Sequence, residues 1–190
     1  MSVRREQLLH AATDLFASRG YHGVGIDDVG AAAGISGPGV YRHFLSKQAL
    51  LEALCERAMT RMLAVAAALP AAGDDPQAAL DGLVELHVGF AVHERELLAV
   101  WVREQRALPE QARRTLRGRQ RAYEAIWRAV VAALRDDLTD DEVTVCVGAT
   151  LAMLNATALF ETKVPADRLR ALLRDMALAA LLPPAATAVS

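Results

Sequence analysis

Apolar residues along most of this chain recur every three or four positions, the spacing that places them on one face of an α-helix. One such stripe runs over residues 8–16, and a longer one runs over residues 80–91. Their boundaries carry residues that typically start helices, such as Asp75 followed by Pro76. The pattern therefore predicts an all-α fold with about nine helices.

The predicted helices fall into a group of short ones and a group of long ones. A helix over residues 3–19, with Ser2 as its cap, is followed by short helices at 26–33 and 38–44 and by a longer one from Ser46 to 68. Later helices are predicted to begin at Pro76, near Leu97, at Pro109, after Thr139 and at Pro165, and Pro183-Pro184 ends the last. Residues 143–147 have strand propensity, but the capping-box pattern from Thr139 to Glu142 favours helix. We therefore predict a compact module over 1–46 and a helical bundle over 47–190.

Composition supports this reading and limits the chemistry. The 190 residues include 38 Ala and 27 Leu, both strong helix formers. A net charge of −2 argues against a chain coated in nucleic acid but allows a local basic patch. Cys55 and Cys146 form no CxxC pair, which argues against a disulfide framework and fits a reducing cytosol. Because no cluster has metal-ligand spacing and no secretory signal opens the chain, we expect a cytoplasmic protein without metal or cofactor.

Residues 26–44 carry the most informative motif. Two short helical segments flank Gly34, which is expected to adopt the left-handed conformation that ends the first of them. This arrangement is a helix-turn-helix, whose second helix can enter the major groove of DNA. The residues expected to pack inward are Ile26, Val29, Ala33, Ile35, Val40 and Phe44.

The motif and its flanks resemble a known family. Gly20-Tyr21, Ala32-Ala33-Gly34-Ile35-Ser36 and the run from Tyr41 to Leu51 are similar to the DNA-binding domain of the TetR/AcrR family of bacterial transcriptional regulators. The resemblance implies a homodimer whose C-terminal bundle binds a small ligand, and usually repression until that ligand arrives. It also implies a near-palindromic operator that places two recognition helices about 34–36 Å apart, or a small multiple of that distance.

The resemblance also implies roles for residues on the motif. Tyr41, His43 and Lys47 match positions that contact the DNA backbone, while Arg42 suits either a guanine edge or a phosphate. Arg4 and Arg5 form a short basic arm. The candidate DNA-binding residues are Arg4, Arg5, Ser36, Gly37, Pro38, Tyr41, Arg42, His43 and Lys47.

Several positions depart from the family pattern. Gly25 stands where a Ser or Thr cap is common, Asp27 and Asp28 stand where basic residues are common, and Gly37 replaces a frequent lysine. Residues 1–50 carry five Lys or Arg against four Asp or Glu. We therefore expect few phosphate contacts and a shallow dependence of DNA binding on salt.

The predicted bundle has aromatic and polar residues on shared stripes. Buried polar groups cost free energy unless they are partnered, so these residues either satisfy one another within the core or line a ligand cavity. For His87 a partnered core histidine is favoured over a ligand contact. The candidate ligand-binding residues are His87, Trp101, Glu104, Arg113, Gln120, Tyr123, Trp127 and Asn155. The arginine-rich helix around Arg113 is either a solvated face or a cationic mouth that suits an acyl-coenzyme A thioester.

Residues 143–160 contain no charge, which is nearly the length of a membrane span. Because threonines, Asn155 and Gly148 interrupt this stretch, we interpret it as a helix buried on several sides in a soluble protein, with no membrane partner. The resemblance implies that it pairs with the last helix and their copies in a dimer. The candidate dimer-interface residues are Gly148, Ala149, Ala152, Ala156, Leu169, Leu172, Leu173 and Met176.

Two other function classes remain open at this point. The first is a helical module for protein contacts, and the second is an enzyme or carrier of hydrophobic small molecules that does not bind DNA. The glycine-rich segments lack the GxxxxGK[ST] and GxGxxG spacings of phosphate-binding loops, and Pro38 stands where a GxSxG nucleophile turn requires glycine. We therefore predict a ligand-responsive regulator rather than an enzyme.

Overall fold

The computed structural model describes residues 3–182, and these are all-helical, without a β-strand. The predicted cap at Ser2 and the predicted helix end at Pro183-Pro184 lie outside the described residues. The nine helices within 3–182 are α1 Val3–Arg19, α2 Ile26–Ala32, α3 Gly37–Tyr41, α4 Lys47–Ala67, α5 Pro76–His93, α6 Arg95–Glu104, α7 Glu110–Leu134, α8 Asp140–Ala156 and α9 Ala166–Leu181. The all-α prediction is confirmed.

Several helices begin where the sequence places a capping residue. The hydroxyl of Ser46 accepts the Ala49 N–H at 3.0 Å before α4, and Asp75 accepts the Ala78 N–H at 2.9 Å before α5. Before α8, the N–H of Thr139 donates to Glu142 at 2.8 Å, which completes the capping box. Residues 143–147 are therefore helical, and their strand propensity is overridden by the cap and by burial on one side of α8.

The second motif helix is shorter than predicted. It ends at Tyr41 instead of continuing to 44, because Arg42 and His43 form a turn in which the N–H groups of His43 and Phe44 both donate to Val40 O. This turn separates α3 from the cap of α4.

Contacts within the chain define two compact units. The first unit is the described part of Met1–Thr60 together with Glu96–Gly118, and the second is Arg61–Arg95 together with the described part of Arg119–Ser190. The first unit thus contains α1–α3, the start of α4, α6 and the start of α7. In the second unit, α5, α8 and α9 pack on one another. The predicted boundary at residue 46 follows chain order, whereas the first unit also takes in residues 96–118 from later in the chain.

Among the described residues, one stretch, Asp140–Leu159, is long and apolar enough to cross a membrane. Only 39% of its apolar window is buried inside the protomer. Much of the apolar surface of α8 is therefore exposed in a single copy of the chain.

Candidate nucleic-acid interface and ligand site

The helix-turn-helix is built around two glycines. Gly34 has φ +70°, as its predicted left-handed role requires. Gly30 lies where the turn folds back on α2, and its O accepts the Ile35 N–H at 2.9 Å. A Cβ on Gly30 would lie 2.9 Å from Ile35 O and 3.1 Å from a Val40 methyl group. The angle between α2 and α3 therefore depends on this close backbone approach.

The inner face of the motif is apolar, as predicted. Val29 and Val40 are fully buried and Phe44 is 3% exposed, while Ile26 and Ile35 are half-buried. Asp28 accepts the Gly25 N–H at 2.7 Å, so its carboxylate supplies the N3 half of a capping box at the start of α2, where Gly25 has no cap side chain. The acidic residue that departs from the family pattern thus has a local structural role.

The outer face of the motif presents four of the predicted DNA-binding residues to solvent. Ser36, Pro38, Tyr41 and Arg42 are exposed, and Tyr41 is 52% exposed although it is a large aromatic residue. The expected outward position of Gly37 is corrected by the structure, because Gly37 is buried against α2. A Cβ at Gly37 would lie 1.8 Å from Asp27 Oδ1, so glycine permits contact between α2 and α3 there.

Two of the predicted DNA-binding cations, Arg5 and Lys47, make contacts inside the first unit. Arg5 donates to His43 O at 2.9 Å, and its guanidinium lies 4.0 Å from the centroid of the Phe44 ring. Lys47 donates to Tyr21 O and Val24 O, both at 2.9 Å. Arg5 and Lys47 therefore hold the segments on either side of the motif, and their predicted contacts with DNA stay predictions.

Arg4 and His43 lie at the edge of the same surface. Arg4 is exposed and donates to Gln7 at 2.9 Å and to Ala33 O at 3.2 Å, while His43 is half-buried. His43 lies in the turn that follows α3, and Arg4 reaches Ala33 O just before the turn that leads into α3. Their predicted contacts with the DNA backbone stay predictions.

The loop that precedes the motif is held from α6 as well. Glu104 accepts the Tyr21 N–H at 3.1 Å, and the side-chain amide of Gln48 donates to Ala107 O at 3.3 Å. Burial raises the pKa of Tyr21, and the nearby Glu104 carboxylate raises it further. This contact links Glu104 to the first unit, and its predicted role in ligand binding stays a prediction.

The second unit contains a buried polar cluster centred on His87. Its Nε2 lies 3.2 Å from Asn155 Oδ1, and its Nδ1 lies 3.2 Å from the Tyr123 hydroxyl. Because Asn155 Oδ1 can only accept, Nε2–H donates to it and Nδ1 accepts from Tyr123. Burial lowers the pKa of His87 to about 4, although the hydrogen bond that His87 donates to Asn155 acts to raise it. His87 is therefore neutral and partnered, as the favoured reading of the sequence predicts.

Trp127 completes this cluster and carries its unpartnered donor. Its side chain is fully buried, with its ring edge-on to His87 and Tyr123 at centroid distances of 6.1 and 6.2 Å. Burial raises the pKa of Tyr123, and the nearby Trp127 N–H opposes that rise. The indole N–H nevertheless reaches hydrogen-bond geometry with no group among residues 3–182. The cluster thus offers one buried N–H to an acceptor.

Four other predicted ligand residues make their observed contacts outside the His87 cluster. Gln120 is half-buried and donates to Glu124 at 2.9 Å, one turn along α7. Trp101 and Arg113 belong to the first unit, where Trp101 is 8% exposed and Arg113 pairs with Glu110. The structure therefore brings together His87, Tyr123, Trp127 and Asn155, whereas Trp101, Glu104 and Arg113 are assigned to the first unit.

The predicted dimer residues divide by exposure. Gly148, Ala149 and Ala152 are exposed on α8, and Met176 is 49% exposed on α9. Ala156, Leu169 and Leu172 are half-buried. Leu173 is corrected, because it is only 4% exposed and belongs to the core of the second unit. Val145, 68% exposed and three residues before Gly148, was missed although helical spacing places it on the same face.

Two known protein families match this chain, one over the helix-turn-helix region and one over the helices that follow. The family described as bacterial regulatory proteins, tetR family, matches residues 8–54, which include α2, the turn and α3. The family described as tetracyclin repressor-like, C-terminal domain, matches residues 73–159, from just before α5 to the end of the uncharged stretch.

Two curated proteins match part of the chain. The HTH-type transcriptional activator FasR of Mycolicibacterium smegmatis is 38% identical over 94 residues, which are 49% of this chain and 42% of that protein. The HTH-type transcriptional repressor KstR2 of Rhodococcus jostii is 34% identical over 83 residues, which are 44% of this chain and 41% of that protein. The match thus spans less than half the length of either relative.

Solved structures match over nearly the whole chain. A bacterial regulatory protein in the tetR family from Rhodococcus RHA1 superposes with a TM-score of 0.85 at 18% identity, covering 97% of this chain and 100% of that one. AibR in complex with isovaleryl coenzyme A and operator DNA superposes with a TM-score of 0.77 at 18% identity, covering 96% of this chain and 100% of that one. At these identities the likeness shows a shared fold.

Proposed function

The chain belongs to the TetR family of bacterial regulatory proteins, and on that premise we propose that it is a ligand-responsive transcriptional regulator of the bacterial cytoplasm. The observation that carries the proposal is the exposed face of α3. Tyr41 is 52% exposed beside the exposed Arg42, Ser36 and Pro38, while the opposite face of the motif is buried. An aromatic at the end of α3 and a guanidinium in the turn that follows, both held outward, suit entry into a major groove and contact with the adjacent phosphates.

The proposed DNA-binding form is a homodimer on a near-palindromic operator. The support is the apolar, uncharged surface of α8, where Val145, Gly148, Ala149 and Ala152 are exposed in one protomer. Exposed apolar surface of this kind marks protein contacts, and small residues allow close approach of two helices. A second copy of the chain is the occupant proposed for it, with Met176 of α9 alongside.

The proposed ligand site is the cluster of His87, Tyr123, Trp127 and Asn155. A largely apolar site with a few converging polar groups is the usual form of a small-molecule site. The unpartnered Trp127 N–H would donate to a carbonyl or hydroxyl oxygen, and the neutral His87 offers no cation to a carboxylate. We propose a hydrophobic ligand that carries a carbonyl group, as an acyl thioester does.

The proposed response is repression that the ligand relieves. The matched relatives include an activator and a repressor, so the sign of regulation has to be measured. α4 is one continuous helix from Lys47 to Ala67 and contributes to both units. In the proposed mechanism the ligand favours a conformation of the bundle that shifts α4, and operator affinity falls because the two conformations bind the ligand unequally.

Operator binding by Tyr41 and Arg42 variants tests the DNA-binding proposal. Fluorescence anisotropy with duplex from the promoter of the neighbouring gene should show sequence-selective, salt-dependent binding. Tyr41→Ala and Arg42→Ala should each weaken it about tenfold, since one good contact to a phosphate or base contributes roughly 1–3 kcal/mol. Arg121→Ala, a change at an exposed position of α7, is the matched control and should retain full affinity.

Two outcomes would contradict the proposal. In the first, the chain binds no duplex selectively but still binds hydrophobic small molecules, as a carrier would. In the second, operator affinity is lost equally in the Arg42 variant and the Arg121 control, which would mean that binding responds to total charge and not to the face of α3.

A further inference from the structure

The first unit contains a groove that the DNA-binding face does not use. It has a volume of about 690 Å³. It is formed by the end of α6, the 3₁₀ turn Gln105–Ala107 that follows it, and the start of α7. This volume is in the range of small-molecule sites, about 300–1,000 Å³. The lining residues are Val102, Arg103, Gln105, Arg106, Arg113 and Arg117.

The groove is strongly cationic. Four of its six lining residues are arginines, and none of the six is acidic. Glu110 pairs with Arg113 from one turn earlier in α7 and also with Arg114 outside the groove. Arg106 and Arg117 form no ion pair within residues 3–182. The groove therefore concentrates positive charge in a chain whose net charge is −2.

Arg113 also carries a buried donor without an acceptor. Its Nε is buried and has no hydrogen-bond partner among the described residues, although its terminal nitrogen pairs with Glu110. A buried donor left unpaired costs free energy, and a second anionic acceptor in the groove would remove that cost. Guanidinium groups present parallel N–H donors that match the oxygens of a phosphate.

We propose that this groove is a binding site for a ligand with a diphosphate group, such as the nucleotide portion of a coenzyme or a free nucleoside diphosphate. Several negative charges close together are needed to balance Arg103, Arg106, Arg113 and Arg117. A single carboxylate would leave most of them unpaired, and Val102 alone offers little surface to a purely apolar ligand. The site is distinct from the His87 cluster, and its existence does not depend on the proposed regulatory function.

The groove is next to contacts that hold the DNA-binding module. Arg103 donates to Ala17 O near the end of α1 at 3.4 Å, and the adjacent Glu104 accepts the Tyr21 N–H. A diphosphate that draws the Arg103 guanidinium into the groove competes with the Ala17 contact. Any effect of the anion on operator affinity would act by this route, and only that effect rests on the proposed function.

Calorimetric titration of the full chain tests the site. The probes are inorganic pyrophosphate, ADP and isovaleryl coenzyme A, each titrated into the parent chain and two double variants. Arg106→Gln/Arg117→Gln removes the two unpaired groove arginines. Arg121→Gln/Arg168→Gln removes the same charge from exposed positions of α7 and α9 and is the control.

Pyrophosphate is expected to bind the parent chain and the control alike, and to bind the groove variant at least about tenfold more weakly, as loss of charge-assisted hydrogen bonds predicts. Tighter binding of the thioester than of ADP would identify a coenzyme A source, and equal binding would identify a free nucleotide source. Equal losses in the groove variant and the control, or no binding of pyrophosphate by the parent chain, would overturn the proposal. So would a groove variant that loses affinity only for random duplex DNA.

Operator binding is measured on the same samples to keep the two proposals apart. A groove variant that binds operator but not pyrophosphate supports the site. A parent chain that binds pyrophosphate but no operator would contradict the regulatory function and leave the site standing.

Discussion

Replacing Glu104 tests how α6 holds the loop in front of the helix-turn-helix. Glu104→Ala removes the acceptor of the Tyr21 N–H, a bond of 3.1 Å to a residue that is 7% exposed. Hydrogen bonds to charged groups contribute roughly 1.5–3 kcal/mol, and partial exposure of this one favours a loss of about 1–2 kcal/mol in the free energy of unfolding. Glu104→Gln keeps a neutral acceptor and should lose about half as much.

Urea unfolding followed by circular dichroism measures both losses. In thermal unfolding of the same variants, the expected fall in Tm is about 2–4 °C for each kcal/mol in a chain of this size. Glu96→Ala, in the exposed first turn of the same helix, is the control and should change stability by no more than about 0.5 kcal/mol. If Glu104→Ala stayed within that same margin but abolished binding of a hydrophobic ligand, Glu104 would be a ligand residue and the structural role argued from the Tyr21 contact would be refuted.

Three further outcomes follow from other parts of the fold. Burial holds the pKa of His87 at about 4, against about 6.5 in the unfolded chain, so the free energy of unfolding should fall by up to about 3 kcal/mol as the pH drops from 6.5 to 4. Unfolding curves of His87→Gln should lack this pH-dependent loss. Gly34→Ala should lower the free energy of unfolding by about 1–2 kcal/mol through its φ of +70° alone, since nothing lies within 4 Å of the added methyl. Gly118→Ala, in the open interior of α7, should raise it by up to about 1 kcal/mol. Equal effects of the two substitutions would argue against a backbone origin. A Cβ added at the exposed Gly148 meets nothing within 4 Å in the protomer, so Gly148→Leu should leave the monomer folded. Sedimentation equilibrium should then show weaker dimerisation, and an unchanged dimer would exclude this face of α8.

The helices and the recognition motif could be predicted because their signals are local. Glycine at the left-handed turn and the caps at Ser46, Asp75 and Thr139 act over three or four residues, which is the range that sequence spacing reports. The end of α3 was placed too late because Phe44 continues the apolar spacing from a turn that is no longer helical.

The partners of several charged side chains lie too far away in the sequence for spacing to predict them. Lys47 contacts carbonyls 23 and 26 residues earlier in the chain, and Glu104 contacts an N–H 83 residues earlier. A stripe shows which face of a helix is buried but not which other helix covers it. Trp101 and Trp127 share a predicted environment for that reason, yet they belong to different units.

The His87 cluster was recognised from residue type and position on an apolar stripe, although its hydrogen-bond geometry was not accessible. The groove arginines were missed in part: the arginine-rich helix around Arg113 was noted, but Arg103 and Arg106 come from the preceding helix and 3₁₀ turn. Their spacing of three residues was a usable signal, since it places both on one side of that segment.

The attachment of residues 96–118 to the first unit has a practical consequence for protein engineering. Hybrid regulators are made by joining the recognition module of one protein to the sensor of another. A junction at residue 46 would separate Tyr21 from Glu104 and Ala17 from Arg103. A hybrid that transplants residues 96–118 together with the first 60 preserves these bonds and should give the grafted module its native stability.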